Sequence, residues 1–148
     1  MKLKTILSPS LVSMHLKGNT KEEIIRELLG ILEKNGKISD TETVLSEIMV
    51  REQEMSTGIQ YGVAIPHVKT RSVKSLVACI GLKPEGVDFQ SLDGEPSNLF
   101  IMTISPIDRV GPHVQFLAEI SKVIKTADTR KRLLNAKTPE EVLAEFGV

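Results

Sequence analysis

The sequence predicts an α/β fold in which helices cover both faces of a small sheet. Three observations carry that expectation. Two capped stripes of apolar residues at helical spacing occupy the first third of the chain. Two short apolar runs rich in β-branched residues sit near the middle, and further capped helical stripes close the chain.

The elements follow in order. Thr20 with Glu23 makes a capping-box pattern, and Ile24, Ile25, Leu28, Leu29 and Leu32 then recur at helical spacing. Asn35-Gly36 ends this helix, because both residues tolerate the left-handed conformation. Asp40 is the N-cap of a second helix. Its expected buried stripe is Val44, Leu45, Ile48 and Met49, and Arg51 to Glu54 form its polar end. Met55 to Gly62 is too rich in glycine and hydroxyls for a stable helix. Val63-Ala64-Ile65 then runs extended into Pro66, since proline disfavours helical geometry at the residue before it. Ser75 to Leu82 and Asn98 to Ser105 read as two buried strands. Between them, Gly86 to Phe89 is expected as a short edge strand, with a turn at Asp93-Gly94. Pro112 is expected as the first residue of a third helix, whose stripe is Val114, Leu117, Ile120 and Ile124. Asp128 and Thr138 are expected to open two short terminal helices. With no internal repeat or Pro/Gly/Ser-rich linker, residues 1–148 read as a single domain.

Composition narrows the function. Lys+Arg and Asp+Glu are balanced at 19 each, and aromatic residues are 3% with no Trp. Neither a basic stripe nor stacking platforms are present, which argues against nucleic acid. The longest apolar run, Leu76 to Leu82, is too short to cross a bilayer, and the N-terminus does not read as a signal peptide. A cytoplasmic location is expected, without membrane insertion. Cys79 is the one cysteine and reads as an inert core thiol. The three histidines lack metal-ligand spacing, so neither metal nor cofactor is expected.

The chemistry centres on His67. A flexible loop precedes it and Pro66 fixes the backbone before it, an arrangement that aims a side chain from a strand end. A neutral imidazole nitrogen is a competent nucleophile near pH 7. Gly58 and Gly62 suit a backbone anion nest, Ser56 and Thr57 add hydroxyl donors, and Arg51 offers a planar fork for phosphoryl oxygens. His113, at a helix start, is expected to stay neutral, because the positive end of the helix dipole disfavours a second charge. His15 has no partner signal and reads as a surface or cap residue. A hydrolase built on Ser56 or Thr57 with His67 is disfavoured, since no Gly-x-Ser-x-Gly elbow is present.

Arg51-Glu52, Ser56-Thr57-Gly58-Ile59 and Gly62-Val63-Ala64-Ile65-Pro66-His67 together resemble the fructose/mannitol-type enzyme IIA family of the bacterial phosphoenolpyruvate-dependent sugar phosphotransferase system, including its nitrogen-regulatory branch. Gly86 to Phe89, Ser91 to Gly94 and His113 with Leu117-Ala118 extend the resemblance over essentially the whole chain. It implies a mixed sheet flanked by helices. It further implies that His67 is phosphorylated on Nε2, that His113 and Arg51 are active-site partners, and that Ser56 and Thr57 lie beside the site. The implied donor is a histidine phosphocarrier protein, and the implied acceptor is a IIB component. The alternative is a regulatory module whose phosphorylation state controls binding to target proteins, a reading that fits a chain with no fused IIB segment. Met55, Gln60-Tyr61 and Ser105 to Arg109 depart from the family pattern. They fall on loops expected to rim a docking surface, where Ile59, Tyr61 and Val68 are candidate contacts.

Overall fold

The computed structural model describes residues 2–148. Two short 3-10 turns, at Leu3–Thr5 and Pro9–Leu11, lead into strand β1 (Val12–Ser13). Helices α1 (Lys21–Lys34) and α2 (Thr41–Glu54) follow, then strands β2 (Val63–Ala64), β3 (His67–Thr70), β4 (Val77–Val87) and β5 (Ser97–Pro106). Helices α3 (Val110–Ile124), α4 (Ala127–Asn135) and α5 (Pro139–Glu145) end the chain.

The caps form as the sequence dictates. Thr20 Oγ1 accepts the Glu23 N–H at 3.2 Å, Asp40 Oδ1 accepts the Thr43 N–H at 3.4 Å, and Thr138 Oγ1 accepts the Glu141 N–H at 3.2 Å. In the first box, Glu23 reaches back to the N–H of Asn19 (2.8 Å) rather than to Thr20 itself. Gly36 ends α1 with φ +69°.

The sheet is mixed. β4 and β5 pair antiparallel, and β1 lies parallel to β4. β2 and β3 lie end to end along the other edge of β5, both parallel to it. Every second residue of β5 faces the same side. Phe100, Met102 and Ile104 join the core under α1 and α2. Leu99 and Ile101 join the core under α3, α4 and α5, with Phe116, Ile120, Leu133 and Val142. Both faces are covered, so Val77 to Leu82 of β4 and Leu99 to Met102 of β5 are continuous apolar runs rather than alternating ones. Cys79 sits fully buried in the first core, its thiol against the Leu28 carbonyl and its pKa pushed up by burial.

Several expectations are corrected. Gly86 to Phe89 is not a separate edge strand: Gly86 and Val87 finish β4 beyond a register shift, and Phe89 turns inward to meet Phe100 at 5.3 Å between ring centroids. α3 begins at Val110, so Pro112 is its third residue, still within the first turn whose N–H groups have no helical partner. Its inward face is His113, Phe116 and Ile120, whereas Val114 is 57% exposed. α4 is preceded by Thr126, with Asp128 in its first turn rather than at its cap. Among the described residues, no helix is long and apolar enough to cross a membrane.

Candidate functional site

The site is assembled where α2, the β2–β3 edge and α3 converge on β5. Strand β3 places His67 opposite Thr103 and Lys69 opposite Ser105. Pro66 cannot donate, but its carbonyl accepts the Thr103 N–H at 3.0 Å and so holds the strand entry. The His67 ring is half-buried, and its Nδ1 lies 2.7 Å from the Ile65 carbonyl. A carbonyl only accepts, so Nδ1 carries the proton and Nε2 keeps its lone pair.

His113 stands beside it, with ring centroids 5.5 Å apart and planes tilted by 53°. α3 delivers it to the interior, 5% exposed, where Nδ1 meets Ser105 Oγ at 2.7 Å. Burial, then the neighbouring His67 and Lys69, push its pKa down to about 4. His113 is therefore neutral at pH 7, as expected, although the dominant cause is burial rather than the helix dipole. The pKa of His67 is also lowered. Burial contributes most, the bond to the Ile65 carbonyl opposes it, and the Arg51 charge lowers it further. Both rings are thus held uncharged at neutral pH, one with a free nucleophilic nitrogen.

Arg51, in the last turn of α2, is half-buried and donates from Nη1 to the Met55 carbonyl at 2.9 Å. That bond fixes its guanidinium close enough for its charge to act on His67. The hydroxyls of Ser56 and Thr57 serve the loop. Ser56 Oγ donates to the Phe89 carbonyl at 2.9 Å and accepts the Gly58 N–H at 3.1 Å. The Thr57 hydroxyl donates to Glu52. In this loop the N–H groups of Thr57, Gly58 and Ile59 are engaged by Glu52, Ser56 and Val63. The two glycines have other reasons. At Gly58 a Cβ would lie 3.2 Å from the Ser91 Cα and collide with its Oγ, and Gly62 has φ +77°.

Two residues near the histidines were missed. Lys69 is exposed and its charge acts on both imidazoles. Strand alternation places it on the same side as His67, two residues earlier, which was the available signal. Glu52, expected in the polar end of α2, is 5% exposed. The spacing Val44, Ile48, Glu52 already points it inward. Among the proposed rim residues, Ile59 and Tyr61 are exposed, at 46% and 63%, whereas Val68 packs partly against the core. His15 is exposed.

Known proteins resemble this chain over nearly its whole length. The family model described as phosphoenolpyruvate-dependent sugar phosphotransferase system, EIIA 2, matches residues 5–146. The chain is 33% identical over 146 residues to the phosphotransferase system fructose-specific EIIA component of Haloferax volcanii, covering 97% of this chain and 95% of that protein. It is also 33% identical over 143 residues to the fructose-specific EIIABC component of Bacillus subtilis, of whose length it spans 22%. Among solved structures, the nitrogen regulatory protein IIA-Ntr from Neisseria meningitidis superimposes with a TM-score of 0.90 at 27% identity, covering 97% of this chain and 98% of that one. The IIA mannitol enzyme of Escherichia coli, solved in complex with phosphorylated IIB, shares the fold with a TM-score of 0.81 at 23% identity over 95% and 96% of the two chains.

Proposed function

Because the chain belongs to the EIIA 2 family of the phosphoenolpyruvate-dependent sugar phosphotransferase system, we propose that it is a phosphoryl carrier whose acceptor atom is Nε2 of His67. The carrying observation is the Nδ1–H bond to the Ile65 carbonyl, which leaves Nε2 unprotonated. In the proposed step, Nε2 attacks the phosphorus of a phosphohistidine on a donor carrier protein. The new P–N bond forms as the donor's P–N bond breaks, and the electron pair returns to the donor imidazole. Charge spreads over the three equatorial oxygens of a loose transition state. Arg51 and Lys69 supply positive charge there, and neutral His113 supplies a hydrogen-bond donor. The reverse geometry passes the group to a IIB-type acceptor. The E. coli IIA mannitol enzyme, which has this fold, is known in complex with phosphorylated IIB.

A regulatory role for the same phosphorylated site is the second reading, and the close match to IIA-Ntr favours it. Both readings place the phosphoryl group on His67 and differ in what reads it. The test is phosphorylation from phosphoenolpyruvate through purified enzyme I and its histidine phosphocarrier protein, followed by intact mass. Wild type gains one acid-labile phosphoryl group, His67→Ala gains none while remaining folded, and His113→Ala is phosphorylated more slowly. A His67→Ala variant that still accepts the group overturns the assignment. Transfer onward to a purified IIB domain separates the sugar branch from the regulatory one.

A further inference from the structure

Glu52 is a buried carboxylate that the proposed transfer does not use. Three donors converge on it. Lys21 Nζ lies 2.9 Å from Oε1, the Thr57 N–H donates to Oε1 at 3.1 Å, and the Thr57 hydroxyl donates to Oε2. Lys21 itself is held in place, 4.9 Å from the Phe89 ring centroid and 3.4 Å from Ser56 Oγ. A charge is tolerated at such depth only when paired and hydrogen-bonded, so each partner here is tightly constrained.

The constraint continues to the histidine. The Thr57 carbonyl accepts the Ile65 N–H at 3.0 Å, and the Ile65 carbonyl accepts Nδ1–H of His67 at 2.7 Å. Ile65 falls in the gap between β2 and β3, outside the regular ladder, so its backbone lacks the pairing that fixes its neighbours. The bond to Thr57 replaces that pairing. The tautomer of an imidazole is set by the bond its other nitrogen makes, so the position of the Ile65 carbonyl decides which nitrogen of His67 is free.

We propose that Glu52 is the positioning residue of the acceptor histidine: anchored by Lys21, it pins Thr57, and through Thr57 the Ile65 carbonyl that holds His67 as the Nδ1–H tautomer. The proposal rests on His67 as the phosphoryl acceptor. A carboxylate that merely tied the loop to α2 would affect stability but leave the tautomer and the reactivity of the folded protein alone.

The test uses the full chain as Glu52→Gln, Thr57→Val and Thr57→Ser, with two readouts. The first is the imidazole nitrogen shifts of His67 in histidine-labelled protein, which needs no donor. The second is the rate of phosphorylation at saturating carrier protein, with KM for that carrier. Wild type and Thr57→Ser are expected as the Nδ1–H tautomer. Glu52→Gln is expected to populate both tautomers and to lose roughly ten-fold or more in kcat with little change in KM. Thr57→Val, which keeps the backbone bond, is expected to fall between them. Folded Glu52→Gln and Thr57→Val proteins with wild-type tautomer and kcat would overturn the proposal. Should Glu52→Gln fail to fold, the comparison of Thr57→Val with Thr57→Ser decides alone. Should wild type accept no phosphoryl group, the carrier reading fails, while the tautomer comparison still judges Glu52.

Discussion

Two neutral imidazoles 5.5 Å apart set the acid behaviour of this site. His113 has a folded pKa of about 4 against an ordinary 6.5, with burial first and then His67 and Lys69 as causes. Below pH 6.5 the unfolded chain binds a proton that the folded chain refuses until about pH 4. The stabilising contribution is therefore complete above 6.5 and is lost as pH falls through that window. Unfolding by urea at a series of pH values checks it. Wild type is expected to lose about 3 kcal/mol more than His113→Gln between neutral pH and pH 4. With His67 as the proposed acceptor, its lowered pKa is expected to place the acid limb of the phosphorylation rate below the usual histidine range. The sequence pointed to both histidines, because Pro66 and the loop before it mark one and a helix start marks the other. It did not point to Ser105, which bonds His113 from β5, because that contact depends on which strand α3 covers.

The loop from Met55 to Gly62 makes a prediction of its own. Gly62 has φ +77°, so Gly62→Ala forces a side chain into the left-handed region and pushes it toward Asn98 Oδ1. The cost is expected at about 1–2 kcal/mol. Gly30, inside α1, is the internal control: an added Cβ meets nothing within 4 Å, and Gly30→Ala should stabilise by about 0.5–1 kcal/mol. Thermal or urea unfolding of the two variants reads opposite signs. Helices with side-chain caps were legible element by element, because Thr20, Asp40 and Thr138 signal locally. β1 and β3 were not. Two to four residues carry too little periodicity to identify a strand, and both exist only because a longer strand pairs with them.

At the scale of the whole molecule, β4 and β5 belong to both cores at once. Phe100 on one face and Phe116 on the other are fully buried. Either residue changed to Ala should cost about 3–5 kcal/mol. Each variant should still unfold in one transition seen alike by circular dichroism and calorimetry, since neither face keeps its sheet without the other. The α/β class was legible from the two apolar runs flanked by capped helices. Strand order was not, because long-range pairing such as β1 beside β4 leaves no local pattern. The same limit hid the line from Glu52 to His67, which joins α2 to the β2–β3 edge through the loop. The most direct measurement of the central claim is phosphorus and nitrogen NMR of the protein phosphorylated in histidine-labelled form. One phosphorus resonance coupled to Nε2 of His67 is the predicted result. Coupling to Nδ1, to another histidine, or no phosphoryl group with an active donor would contradict it.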